Sequence, residues 1–207
     1  LGNDFIPHSP SLSIKNNGVN TLLKIYKKVY DRYGKNLVNR ETLRINHKML
    51  SSIFRELYNL EDSLLIKKSK KQSKFRANFN KCETLLERKL EEFNKYPLFH
   101  KDLERKLKLG ENNWIERYYR ELFLIDRENY KIPCKNFIEA LVWTFKYYFS
   151  ECSSWNWYYK YRHAPPFEDL CKYLEDDLLD INNIRFKKSI PYTPFRQLFT
   201  VLPHASA

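Results

Sequence analysis

Apolar residues recur at helical spacing in blocks along this chain, and most blocks end at a residue that stops helices. Val19, Leu22, Leu23, Tyr26, Val29 and Tyr30 mark one amphipathic stretch from about Asn17, and Gly34 closes it. Asn46 reads as an N-cap, with Ile45 and Leu50 placed around it as a hydrophobic staple. Behind it Leu50, Ile53, Phe54, Leu57 and Leu60 carry a second helix. That helix runs into a Lys- and Glu-rich stretch, 61–94, containing Leu64, Leu65, Phe75, Phe79, Leu85, Leu86, Leu90 and Phe93. Pro97 interrupts the pattern, and "ENNWIERYYRELF" opens a further helix after Gly110. The widest apolar face belongs to "PCKNFIEALVWTFKYYF", through Cys134, Phe137, Ile138, Leu141, Val142, Phe145, Tyr148 and Phe149, with Pro133 in its first turn. No run alternates convincingly with the two-residue period of a strand, and no internal repeat appears. The expected fold is mainly α: an irregular helical domain with long amphipathic helices and Pro- and aromatic-rich loops.

Three stretches interrupt the helical pattern. Residues 1–14 are loop-like, with Pro7 and Pro10 among serines. After the widest helix comes "SSWNWYYKYRHAPPFEDL", aromatic, basic and broken by prolines. "PYTPFRQLFTVLP" stands near the end.

Composition narrows the function classes. The 207 residues, 43% hydrophobic and 16% aromatic, suffice for a real core, which argues against wholesale disorder. Lys and Arg outnumber Asp and Glu by 37 to 25, and a formal charge of +12 points to a polyanionic partner, nucleic acid before membrane. A merely basic surface is the plain alternative. Cys82, Cys134, Cys152 and Cys171 form no CxxC pair, so they are expected as reduced thiols in or near the core, without zinc. No signal peptide and no apolar run of membrane length is seen, so no membrane is expected as a partner.

Few residues are candidates for chemistry. The chain opens on "LGNDFIPH" without Met, which suggests a piece of a longer protein. Asp4, between Gly2-Asn3 and Phe5-Ile6-Pro7, stands where a tight backbone would aim a carboxylate. It is a candidate metal ligand, with a turn or N-cap Asp as the alternative. One carboxylate is too little for two-metal phosphodiester cleavage, because two divalent ions about 4 Å apart need several acids around them. His8 could meet a base or a phosphate, or simply end the turn before Pro10. In "SSWNWYYKYRHAP", Trp155, Trp157, Tyr158, Tyr159 and Tyr161 interleave with Lys160, Arg162 and His163. Rings for bases beside cations for phosphates are what a single-stranded nucleic-acid path requires. Most of these rings must nevertheless be core, since such a path has room for one or two. The basic run "KKSKKQSKFR", 67–76, is expected as a solvated arm, with a nonspecific phosphate patch as the alternative.

These segments together resemble the Xrn family of 5′→3′ exoribonucleases. "GNDFIPHSPSL" at 2–12 is similar to that family's "GNDFLPHLPSL", and "ECSSWNWYYKYRHAPP" at 151–166 resembles its "GxxSWxWYYPYHYAPF". "WIERYYRELF", "IEALVWTFKYYF" and "PYTPFRQLFTVLP" resemble further family segments, in the family's order and across nearly the whole chain. The resemblance implies the C-terminal part of a larger nuclease core. Residues 1–14 would end an N-terminal nuclease domain of the same chain, and 15–207 would form the helical domain. Asp4 falls on the last acid of a cluster that holds Mg²⁺ or Mn²⁺, the rest of the two-metal site lying outside this sequence. The substrate would be single-stranded RNA with a 5′-monophosphate. One tryptophan would stack on its bases, Trp155 in preference to Trp157; His8, Lys160 and Arg162 are further candidate RNA contacts on their own chemistry, not on the resemblance. Lys160, Arg162, His163 and Pro166 depart from "YPYHYAPF", which weakens any role carried over to them. The resemblance implies an intracellular protein, cytoplasmic in preference to nuclear.

Two other classes stay open at this stage. A flap-endonuclease-type DNA nuclease also uses a Gly-x-Asp-aromatic loop, but follows it with a Gly-rich hairpin, and here only Gly18 precedes Gly34. A noncatalytic RNA-binding or scaffolding relative would have lost its acids, which the survival of Asp4 opposes.

Overall fold

The computed structural model describes residues 1–14, 17–73, 82–94, 106–175 and 179–203. The fold is mainly α. α1 spans Gly18–Tyr33. A two-residue antiparallel ladder pairs β1, Val38–Asn39, with β2, Arg44–Ile45. α2 runs His47–Ser73, α3 Leu85–Asn94 and α4 Trp114–Tyr118, which widens into a π turn over Tyr119–Phe123. α5 is Lys131–Phe149, α6 Phe167–Leu174 and α7 Pro194–Val201.

Local signals explain most of the boundaries. Gly34 ends α1 in the left-handed region at φ 63°, returning its N–H to the Tyr30 carbonyl. Asn46 caps α2: its Oδ1 accepts the Met49 N–H at 3.2 Å, while Ile45 and Leu50 are both buried as a staple requires. The expected continuous stretch 61–94 is instead two helices, with 74–81 outside the described residues. α3 starts afresh on a capping box, in which Thr84 Oγ1 accepts from Glu87 N at 3.1 Å and Glu87 Oε2 accepts from Thr84 N at 3.2 Å. The small ladder was not legible as a strand because two residues carry no period.

α2 packs along α6 and against α1, and α5 packs on α6. The main core gathers Ile25 and Val29 of α1, Met49 to Leu57 of α2, the middle of α5 and Leu170, Cys171 and Leu174 of α6, with Ile6 and Leu12. A second cluster joins Leu65 and Leu107 to Trp114, Ile115, Tyr118, Tyr119 and Phe123. All four cysteines are free thiols, with Cys134 and Cys171 buried as expected. Among the described residues no helix is long and apolar enough to cross a membrane.

The faces differ from the expected ones in three places. On α1, Val19, Leu23 and Tyr30 are exposed and Ile25 takes the core position instead. On α2, Leu60 turns outward and Glu61, four residues after Leu57, is buried in its place. On α5, Tyr148 and Phe149 are exposed, whereas Trp143 and Ala140 are buried, because this helix meets α6 on one side and the 154–161 segment on another.

Candidate nucleic-acid interface

Asp4 sits in a loop closed by its neighbour. Asn3 Oδ1 accepts from the N–H of both Phe5 and Ile6, each at 2.9 Å, and Asn3 N–H donates to the Ile6 carbonyl at 3.0 Å. Gly2 is required here: its φ is +85°, and a Cβ would stand 2.7 Å from the His8 nitrogen. Ile6 is buried in the core, and Phe5 is held edge-on by Trp143 and Tyr147 at 5.0 and 5.1 Å between centroids. The loop is thus pinned on both sides of Asp4, whose side chain is exposed and makes no hydrogen bond or ion pair among the described residues.

The aromatic segment is anchored to the same indole. Trp143 donates its N–H to the Ser154 carbonyl at 2.9 Å and stacks on Trp157 at 5.8 Å and 25°. Trp157 also meets Phe186 edge-on at 5.5 Å, so its ring is half-buried in the wall. Tyr159 is buried, its hydroxyl donating to the His163 carbonyl at 2.8 Å, and Tyr161 packs between Phe123 and Tyr159. Trp155 and Tyr158 are the rings left outward, at 53% and 68% exposure. The Trp155 backbone is nonetheless fixed, because Ser189 Oγ accepts the N–H of Trp155 at 2.8 Å and of Asn156 at 3.0 Å.

Of the remaining candidates, Lys160 and Arg162 are exposed, with the Lys160 backbone held by Asn136 Oδ1 at 2.9 Å. His8 is exposed and its Nδ1 lies 2.8 Å from the Ser9 carbonyl. His163 is half-buried beside the Tyr118 ring, and burial lowers its pKa, helped by the nearness of Arg162 and His8. That coupling brings His8 into the neighbourhood of Arg162 and His163. The basic arm enters the described structure only in part. Lys67 is exposed on α2, Lys68 reaches the Pro10 carbonyl at 3.3 Å, and 74–76 lie outside the described residues.

Trp143 and Glu61 carry much of this arrangement, and neither stood out in the sequence. Glu61 is 1% exposed; its Oε2 accepts the Phe167 N–H at the start of α6 at 2.8 Å, and Ser11 Oγ donates to Oε1 at 3.3 Å. Burial pushes its carboxyl up to about 8, against the pull of those two hydrogen bonds. A carboxyl one helical turn beyond Leu57, on the face that carries Phe54, was the available signal.

No group of three or more His, Cys, Asp or Glu among the described residues could hold a metal ion. Asp4 therefore offers a single free carboxylate, which fits one ligand of a site but not a whole one.

Comparison with known proteins bears on the family of the chain. The family described as Xrn1 helical domain matches residues 1–101 and 86–207. The 5′-3′ exoribonuclease 2 of Gallus gallus is 26% identical over 271 residues, covering 100% of this chain and 28% of the chicken protein. The 5′-3′ exoribonuclease 1 of Schizosaccharomyces pombe is 35% identical over 127 residues, covering 58% of this chain and 9% of the yeast protein. That of Saccharomyces cerevisiae is 40% identical over 96 residues, covering 45% and 6%. The chain thus spans 28% or less of these relatives, and the match sets aside the flap-endonuclease alternative. With its helical domain matched from end to end, the chain belongs to the Xrn family.

Proposed function

We propose that this chain is the helical wall of a 5′→3′ exoribonuclease that hydrolyses single-stranded RNA from a 5′-monophosphate. The observation that carries the reading is the convergence on Trp143: one indole holds both the loop of Asp4 and the segment of Trp155. An exposed carboxylate and an exposed, backbone-fixed ring are thereby tied to one rigid support, which a processive nuclease acting on any sequence needs.

Each residue has a distinct task in this reading. Asp4 holds Mg²⁺ or Mn²⁺ together with acids of an N-terminal nuclease domain, and residues 1–14 end that domain. Bound divalent ions would supply a water of lowered pKa and neutralise charge on the leaving oxygen. Trp155 offers a π face to a base without reading its edges, so any sequence is accepted. Lys160 and Arg162 attract phosphates, and His163, whose protonation burial disfavours, adds a polar edge beside them. His8 stands on the same loop as Asp4 and can face a phosphate or a base. Trp157, stacked on Trp143, supports the wall. The setting proposed is intracellular, the cytoplasm in preference to the nucleus.

The test uses the full-length protein with RNA carrying either a 5′-monophosphate or a 5′-hydroxyl, in Mg²⁺. Release of mononucleotides from the first, and not from the second, is the expected result. Binding of both without release of any nucleotide would favour a noncatalytic RNA-binding relative.

A further inference from the structure

A cleft of about 930 Å³ lies between the end of α1 and the β-hairpin, walled by Tyr26, Lys35, Asn36, Arg40, Thr42 and Arg44 among others. None of the residues assigned a task above lines it. Its charge is one-sided, with three cationic side chains against the single carboxylate of Glu41. No carboxylate among the described residues pairs with Lys35, Arg40 or Arg44. This is not true of the same helix one or two turns earlier, where Glu56 holds Lys28 at 2.6 Å and Arg32 at 3.4 Å.

The hairpin that carries Arg40 and Arg44 is also held in place. Asn182 clamps the hairpin by accepting the Ile45 N–H at 2.8 Å and donating to its carbonyl at 3.1 Å. Asn39 Oδ1 fixes the turn through the N–H groups of Glu41 and Thr42, each at 2.9 Å. Arg40 lies over the Phe149 ring at 5.6 Å, which orients the guanidinium without neutralising it. Phe149 ends α5, the helix whose Tyr147 and Tyr148 hold Phe5 beside Asp4. Arg40 thereby joins the cleft to the same end of α5 that packs on Phe5, the neighbour of Asp4.

We propose that this cleft is a second contact for the RNA, taking phosphodiester groups of the backbone that lie away from the Asp4–Trp155 face. The identity of the polyanion rests on the function proposed above. The experiment measures binding of a 5′-monophosphorylated oligoadenylate to the full-length protein in EDTA across a salt series, beside nucleotide release in Mg²⁺. Replacing Lys35→Gln, Arg40→Gln and Arg44→Gln together should weaken binding at least tenfold at low salt. It should also flatten the log–log salt slope by about 2, at ~0.7 per lost phosphate contact on a single strand. The charge-keeping set Lys35→Arg, Arg40→Lys and Arg44→Lys should retain most of the slope. If the triple variant melts lower than wild type, Arg40→Gln and Arg44→Gln singly should each remove about 0.7. An unchanged slope in a folded variant overturns the proposal, and if wild type still releases nucleotides it leaves the exonuclease reading intact. Failure of wild type to bind the RNA at all overturns both. A slope that responds only to competition by polyglutamate, and not to RNA, would overturn the proposal in favour of an acidic protein partner.

Discussion

Phe5 sets the edge of its ring against the indole of Trp143, with centroids 5.0 Å apart and planes at 67°. This contact helps pin the backbone of the loop that carries Asp4. The same indole spends its N–H on Ser154 and its other faces on Tyr147, stacked at 5.3 Å, and Trp157. Removing it should loosen two segments at once.

Trp143→Ala is expected to cost about 3–5 kcal/mol of stability, the range for a buried tryptophan. Trp143→Phe keeps a ring against Phe5 but leaves the Ser154 carbonyl without its donor, at about 1–3 kcal/mol. Chemical denaturation of the two variants checks the order. If Phe and Ala cost the same, the ring contacts contribute little and the hydrogen bond carries the effect.

Asp4→Asn should leave the melt unchanged, because the side chain is exposed and pairs with nothing among the described residues. In the full-length protein it should abolish nucleotide release while RNA affinity in EDTA stays within about twofold, since affinity comes from phosphates and stacking. Wild-type turnover by this variant would reduce Asp4 to a loop residue.

The two tryptophans should separate cleanly. Trp155→Ala is expected to weaken single-stranded RNA binding by about 1–3 kcal/mol with an unchanged melt, and Trp155→Phe to restore part of it. Trp157→Ala should instead lower the melt, toward the small end of the ~3–5 kcal/mol expected for a core aromatic, as its ring is half-buried. Measuring anisotropy and thermal unfolding on both variants decides it. A drop in binding for Trp157→Ala alone would exchange their roles.

Legibility followed the reach of each signal. Caps are local, so Gly34 and Asn46 could be read from the sequence, as could the helices they bound. The Asn3–Asp4–Phe5 loop was legible as a tight turn because its closure needs only its own neighbours. Which aromatic faces outward was not legible in the same way: Trp155 and Trp157 differ only in what Trp143, Phe186 and Ser189 do from a distance. Helical period alone placed Leu60 inside and passed over Glu61, because hydrophobicity says nothing of a carboxyl that finds a backbone N–H at another helix's start. The cleft cations escaped notice because the hairpin that gathers them is too short to carry a period.

Glu61 gives the pH prediction. Burial raises its folded-state pKa to about 8, whereas an unfolded chain holds it near 4.5. Between those values the folded protein binds more protons than the unfolded one, so stability must fall as pH rises. The contribution is fully present below about 4.5, is lost progressively up to about 8 and then levels off. The loss should be on the order of a few kcal/mol, for a carboxyl that must ionise among Asp62 and Asp169 with only Ser11 and Phe167 as donors. Glu61→Gln keeps an acceptor for the Phe167 N–H and presents an amide donor to Ser11, imitating the protonated state. Its denaturation midpoint should match wild type at pH 5 and exceed it at pH 8.5. Because Ser11 ties Glu61 to the loop that also carries Asp4, hydrogen exchange of residues 9–12 should quicken with pH in wild type beyond its intrinsic rise and not in the variant. Parallel pH profiles for the two proteins would mean that Glu61 stays ionised in its site, held by the α6 N-terminus.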